Sequence, residues 1–273
     1  MTEAQLIPLI FSVLGLLIGS FLNVCISRLP EDYSIVTPRS QCPKCGGAIA
    51  WFDNIPLLSY ALLGGRCRLC RERIPWRYPA VELMTGAAFW WTGSVFGWSW
   101  ESLKWCVFAA ILIELTWSDL ETRILPDEFT KGGIAAGLML ALVAPLPPGA
   151  VSLAASLLAP EASRPLLSFV EAGAGAVLLP LCMWLIAWAY RRFRGKEGLG
   201  LGDVKMLAMM GSFLGLEGAV FTLAAASLGG SVIGLGYIKW RKKDPATYEL
   251  PLGTFLGFAG LLAGAVRMAG FGR

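Results

Sequence analysis

Charge-free apolar runs long enough to cross a bilayer recur along the whole sequence. A hydrocarbon core about 30 Å thick needs roughly 20 apolar residues to be crossed as a helix. Gln5 to Ser27 carries no Lys, Arg, Asp or Glu, and neither does Leu83 to Trp100. The same holds for Gly132 to Pro160, Ala172 to Tyr190, Gly218 to Ile238 and Leu250 to Val266. Two further spans are less clean: Ser102 to Ser118 contains Lys104 and Glu114, and the piece after Asp203 is short before Glu217. The pattern predicts an all-α polytopic membrane protein of about eight transmembrane helices, the sixth being the shortest. Composition agrees, with 56% hydrophobic and 15% charged residues, against about 45–50% and about 25% in soluble domains. The first run has only Glu3 before it and its positive charge after it, at Arg28. A secretory signal has the reverse order, so this run reads as a retained helix with its N-terminus outside.

Positive residues gather on the cytoplasmic side of short membrane loops. With eight helices and an outward N-terminus, 19 of the 23 Lys and Arg fall inside. The outside segments hold only Lys104, Arg164, Arg267 and Arg273. The net charge of +4 therefore describes topology and contact with the lipid bilayer, and nucleic-acid binding is not implied.

The sequence divides into a first transmembrane helix over 1–28, a soluble cytoplasmic loop over 29–78 and a helical membrane domain over 79–273. The loop contains Cys42-Pro-Lys-Cys45 and Cys67-Arg-Leu-Cys70, with 21 residues between the pairs. Two CxxC knuckles at such a spacing suit a zinc-ribbon-like site of four thiolates around one ion. Gly46 and Gly47 follow the first pair, as a tight knuckle turn prefers. A loop of this length buries too little to fold alone, so a metal staple makes physical sense. Disulfides or a redox dithiol pair are the other readings, and a reducing cytoplasm argues against structural disulfides. Cys25, Cys106 and Cys182 lie in apolar stretches and are expected to be small core residues.

Acidic residues at membrane depth are costly and are functional candidates. Asp119 ends the third helix in Trp117-Ser-Asp-Leu-Glu-Thr-Arg-Ile-Leu-Pro-Asp127, and Asp203 starts the sixth in Gly198-Leu-Gly-Leu-Gly-Asp-Val-Lys205. The charge map puts both at the inner membrane edge. Asp203, after a glycine and before a helix, also fits an ordinary N-cap. Asp119 lacks such an explanation, because a negative charge at a helix C-terminus opposes the macrodipole. Gly200 and Gly202 would let an extended peptide backbone approach Asp203. The GxGxG spacing is no dinucleotide fingerprint, since no strand precedes it. With no histidine in the chain, His-based triads and His-ligated catalytic metals are excluded. Two carboxylates sharing one proton can activate water with one group and protonate a scissile carbonyl with the other. Glu114 is expected to pair with another helix, and Glu121, Asp127 and Glu128 to be solvated or capping groups. Lys205 is expected to anchor the inner interface rather than to orient substrate. Glu171 and Glu217 carry no evident signal.

These residues resemble the prepilin peptidase family, the GxGD-type membrane aspartic proteases of type IV pilus and type II secretion systems. The likeness rests on six blocks in order. Gly19-Ser-Phe-Leu-Asn-Val24 with Arg28-Leu-Pro30 comes first, and the paired CxxC motifs frame Trp51-Phe-Asp-Asn-Ile-Pro-Leu-Leu-Ser-Tyr60. Arg77-Tyr-Pro-Ala-Val-Glu82 follows, then Asp119 with Leu125-Pro-Asp127, then Gly200-Leu-Gly-Asp-Val-Lys205. Glu121 stands where many relatives have an aspartate. The resemblance implies a bacterial inner-membrane enzyme with Asp119 and Asp203 as its catalytic pair at the cytoplasmic face. It implies cleavage of a basic leader after a glycine in type IV pilin-like or pseudopilin precursors. It also implies N-methylation of the new terminus by S-adenosylmethionine, by analogy at the cytoplasmic loop and adjoining helix ends, with no residues assigned. Two readings from other classes stand beside it: an ion-coupled carrier using Asp119 and Asp203, and a non-catalytic zinc-containing assembly scaffold. Carriers place their site near the midplane and often repeat their halves, and the cysteine loop has no counterpart in the second half.

Overall fold

The computed structural model describes residues 3–195, 198–241 and 251–271. Lys196, Lys242, Lys243 and Arg273 of the charge map lie outside the described residues. The chain forms two compact units, Met1–Glu114 and Leu115–Arg273.

The first unit holds α1 (Glu3–Arg28), the short α2 (Leu58–Leu62) and α3 (Arg77–Phe96), with α4 (Trp100–Thr122) running from it into the second. Small residues let α1 and α3 approach closely, as packing between lipid-embedded helices requires. A Cβ on Gly15 would lie 2.6 Å from the Thr85 carbonyl oxygen, and one on Gly19 would lie 2.7 Å from Glu82 Cα. Phe11, Phe89 and Cys106 form a buried cluster there. Asn23, also buried, crosslinks the two helices by donating from Nδ2 to the Tyr78 carbonyl at 3.0 Å.

The second unit holds α5 (Asp127–Val143), α6 (Ala150–Leu158), α7 (Arg164–Arg194), α8 (Leu201–Arg241) and α9 (Leu252–Phe271). Its centre is the start of α8, where Met206, Leu207, Met209, Met210 and Phe213 are fully buried. The Gly132 to Pro160 run does not form one helix. It divides between α5 and α6 around Pro145, Pro147 and Pro148, because proline lacks the amide that helix propagation needs.

Helix α8 breaks at Gly215, whose φ of 70° is non-helical and suits a residue without Cβ. The amides freed by the break need partners, and buried Glu171 of α7 supplies one. Glu171 Oε1 accepts from the Leu216 amide at 3.3 Å and Oε2 from the Ser152 amide in the first turn of α6 at 2.9 Å. Glu217 Oε1 accepts from the Ala150 amide at 3.0 Å. Glu171 and Glu217, without signal in the sequence, therefore cap two helix starts.

Among the described residues, four helices are long and apolar enough to cross a membrane: Gln5–Glu31, Arg164–Arg194, Leu201–Gly234 and Leu252–Gly270. Helices α3, α4 and α5 occupy expected spans but fall outside this group. Helix α5 has 17 residues, α4 carries Lys104, Glu114 and Asp119, and α3 is rich in Trp, Gly and Thr. One expectation fails at Cys182. It is exposed, because α7 presents an uncovered apolar stripe that also includes Leu178, Leu181 and Leu185. Cys25 and Cys106 are buried as expected.

Candidate active site and metal centre

Asp119 lies in the last turn of α4 and is 5% exposed. Its Oδ2 accepts hydrogen bonds from the Thr254 amide at 2.6 Å and the Thr254 hydroxyl at 2.8 Å. Thr254 is the third residue of α9, so its amide is one that the helix cannot satisfy itself. The positive end of the α9 dipole thus faces Asp119 and offsets the unfavourable dipole of the aspartate's own helix. A Cβ on Gly253 would lie 2.8 Å from Asp119 Cγ, so only glycine admits the carboxylate at this place.

Asp203 is the third residue of α8 and is half-buried. The Val204 amide bonds the Gly200 carbonyl at 3.4 Å, which makes Gly200 the N-cap. The N-cap placement expected for Asp203 is corrected accordingly. Its carboxylate reaches back to the Gly200 backbone, as an acidic third residue does in a capping box. Asp119 and Asp203 lie within electrostatic reach of each other. Each carboxylate meets a helix N-terminus, Asp203 that of its own helix and Asp119 that of another.

The Leu125-Pro-Asp127 block lies against the glycine motif. A Cβ on Gly202 would lie 3.2 Å from Leu125 Cδ1. Lys205 Nζ reaches Asp127 Oδ1 at 2.6 Å, and Lys131 Nζ reaches Asp127 Oδ2 at 2.6 Å. Hydrogen bonds from Lys131 and then Lys205 hold the Asp127 carboxyl down at about 2. Lys205 therefore anchors α8 to the start of α5. Glu114 is fully buried in α4, and Glu121 is exposed. Sequence reasoning missed Gly253 and Thr254, whose only local signal is a small-residue pair opening an apolar helix.

In the first unit the four sulfurs of Cys42, Cys45, Cys67 and Cys70 all lie within 4.8 Å of one another and could hold a metal ion. Cys42 Sγ and Cys70 Sγ are 3.8 Å apart. That matches the edge of a tetrahedron with metal–sulfur bonds of about 2.3 Å and is far beyond a disulfide of about 2.05 Å. The two knuckles repeat one geometry. The Gly46 amide bonds the Cys42 carbonyl at 2.9 Å, and the Arg71 amide bonds the Cys67 carbonyl at 3.0 Å. The Cys45 amide draws the Cys42 thiol down to about 7. The Glu72 amide also favours a Cys70 thiolate, but burial and the three neighbouring thiols push Cys70 up to about 12. Without a cation among them, four sulfurs this close cannot all be thiolates.

Gly46 and Arg71 occupy the same knuckle position, with φ of 67° and 60°. Glycine takes this backbone freely, whereas arginine is strained there. Arg71→Gly is expected to raise the stability of the metal-loaded loop by about 1 kcal/mol, read as a higher denaturation midpoint.

The chain matches two family models in tandem. Residues 13–96 match the Bacterial Peptidase A24 N-terminal domain, and residues 106–235 match the Type IV leader peptidase family. The four cysteines fall in the first match and both aspartates in the second. A protein of Myxococcus xanthus named "Prepilin leader peptidase/N-methyltransferase" is 40% identical over 82% of this chain and 61% of its own length. The chain thus spans less than two thirds of that relative. Proteins of the same name from Aeromonas salmonicida and Pseudomonas aeruginosa are 34% and 33% identical. The alignments cover 91% and 92% of this chain, and 87% of each relative. No solved structure matches significantly. With both family models matched in order and relatives aligned over most of its length, the chain belongs to the type IV leader peptidase family.

Proposed function

We propose that this protein is a membrane aspartic endopeptidase that removes the basic leader of type IV pilin-like or pseudopilin precursors after a glycine, and then N-methylates the exposed terminus. The observation that carries the peptidase reading is the meeting of Asp119 and Asp203, each at a helix N-terminus, inside the segment matched to the leader peptidase family. One carboxylate takes a proton from the attacking water while the other, protonated, donates to the scissile carbonyl oxygen. The peptide nitrogen then leaves with a proton from the pair. Gly200, whose open side meets only Asp203, leaves room for an extended backbone there, whereas Gly202 is packed against Leu125.

The charge map supports an inner-membrane location with the N-terminus outside and the aspartates at the cytoplasmic edge, where a basic leader would be retained. The eight-span arrangement and the division into 1–28, 29–78 and 79–273 belong to the same reading. Four cysteine ligands, none of them histidine or carboxylate, favour structural zinc over other metals. S-adenosylmethionine, when bound, would supply an electrophilic methyl group to the newly exposed terminal amine.

Thr254 is a positioning residue in this mechanism, holding Asp119 through a hydroxyl and an amide. Thr254→Val removes one charge-assisted hydrogen bond, worth about 1.5–3 kcal/mol. Cleavage kcat is expected to fall about tenfold or more, with KM little changed, and Thr254→Ser is expected to restore it.

The reading is tested with the purified protein in nanodiscs, a pilin-like precursor and S-adenosylmethionine, followed by mass. Loss of the leader after its glycine, then a gain of one methyl group on the product, is the expected result. An uncut precursor would overturn the peptidase reading.

A further inference from the structure

The lipid-facing side of α1 forms one wall of a groove in the first unit. Its volume is about 400 Å³, within the roughly 300–1,000 Å³ of small-molecule pockets. Leu17, Phe21, Val24 and Arg28 line it from α1. Their spacing of four, three and four residues puts them on one face of the helix. The opposite wall comes from the cysteine module, chiefly Val36, Arg39 and Trp51. None of these residues has a part in the peptidase mechanism.

The groove changes polarity along its length. Leu17 and Phe21 are exposed on a helix long and apolar enough to cross a membrane, so these side chains meet acyl chains. From Leu17 to Arg28 the helix rises about 16 Å at 1.5 Å per residue. One leaflet of a hydrocarbon core about 30 Å thick measures about the same. The apolar end of the groove therefore lies near mid-bilayer and its arginine end at the headgroups. Two arginines and no carboxylate line it. Arg28 is engaged by the fold, donating to the Ser34 and Pro38 carbonyls at 2.9 and 2.8 Å. Arg39 is exposed, and among the described residues nothing pairs with its guanidinium. Val36 and Trp51 are 77% and 74% exposed, and tryptophan is favoured at the headgroup level of a bilayer.

An apolar channel under two positive charges fits an anionic phospholipid, the lipid class that draws basic residues to membrane surfaces. A precursor with a basic leader fits poorly, because its charges repel Arg28 and Arg39. A soluble phosphate compound has no use for the wall of Leu17 and Phe21.

The geometry points to one anionic phospholipid seated in this groove, its phosphate on Arg39 and an acyl chain along Leu17 and Phe21. The lipid ties the cysteine module to the leaflet in which α1 ends. The inference stands apart from the peptidase and methyltransferase readings.

The test uses the full-length protein in phosphatidylcholine nanodiscs doped with phosphatidylglycerol that carries a photoreactive acyl chain. Label is expected on peptides holding Leu17 to Val24 and Val36 to Trp51. Native mass spectrometry with the two lipids at equal chain length is expected to show a preference of about tenfold or more for phosphatidylglycerol. Arg39→Glu is expected to bring that preference below about threefold, and Arg39→Lys to keep it. Equal labelling along the exposed faces of α7 and α9 would overturn the proposal, as would a preference that survives Arg39→Glu. Displacement of the lipid by glycerol phosphate alone would overturn it in favour of a soluble phosphate site. Displacement by a pilin-like precursor that itself crosslinks to Trp51 would overturn it in favour of a substrate surface. A preparation that binds the lipid here supports the site whether or not it cleaves precursor.

Discussion

Replacing Cys42 and Cys67 together with serine, or stripping the metal with a strong chelator, is expected to unfold the segment between α1 and α3. Among residues 29 to 76 only Cys42 and Ser59 are buried, so no apolar core holds this stretch together. What remains is the Asp53–Arg68 pair, hydrogen bonds from Arg28 and to Glu82, a few turn hydrogen bonds and the thiol cluster. A structural zinc ion contributes about 10–16 kcal/mol to folding in small metal-dependent modules. An exposed ion pair contributes about 1 kcal/mol or less. The loss of metal therefore exceeds anything the loop could set against it. Limited proteolysis should cut the double variant within this segment at rates where the loaded wild type resists. A double variant as resistant as wild type, with no metal bound, would show that the loop is held in another way.

Asp203→Asn and Asp119→Asn are each expected to lower kcat for leader cleavage by roughly a hundred- to ten-thousand-fold, with KM little changed. Asparagine preserves the shape and the acceptor oxygen at both places. At 119 it can still accept from the Thr254 amide and hydroxyl. At 203 it can still meet the Gly200 backbone. What it cannot do is take up and release the proton that the proposed mechanism passes between the two groups. Because the pair acts as one unit in the proposed mechanism, the double variant should be little worse than either single one. Melting profiles close to wild type would separate this chemical loss from misfolding.

Most helical segments and the cysteine knuckles were legible in the sequence, and both aspartates stood out as candidates, because each is written in local terms. Charge-free runs mark helices, CxxC spacing marks a thiol site, and carboxylates at the ends of apolar runs stand out. Long-range pairing is not written that way. Thr254 lies 135 residues from Asp119, and nothing in its own neighbourhood announces the contact. Gly215 is one of 32 glycines, and only its backbone dihedral shows that α8 breaks there. The capping by Glu171 depends on that break, so it was equally hidden. Asp203 sits three places into its helix because the helix begins at Leu201, a boundary that glycine-rich sequence leaves open. Cys182 was misplaced because an apolar helix can face lipid as readily as protein, and hydropathy alone does not tell which.

The most direct test of the aspartate pair is single-turnover cleavage of a pilin-like precursor in nanodiscs, resolved by mass, with wild type, Asp119→Asn, Asp203→Asn and the double variant side by side. The expected result is leader release by wild type alone, with all three variants at the level of an enzyme-free control over the same time. Leader release by either single variant within about tenfold of the wild-type rate would contradict catalysis by this pair.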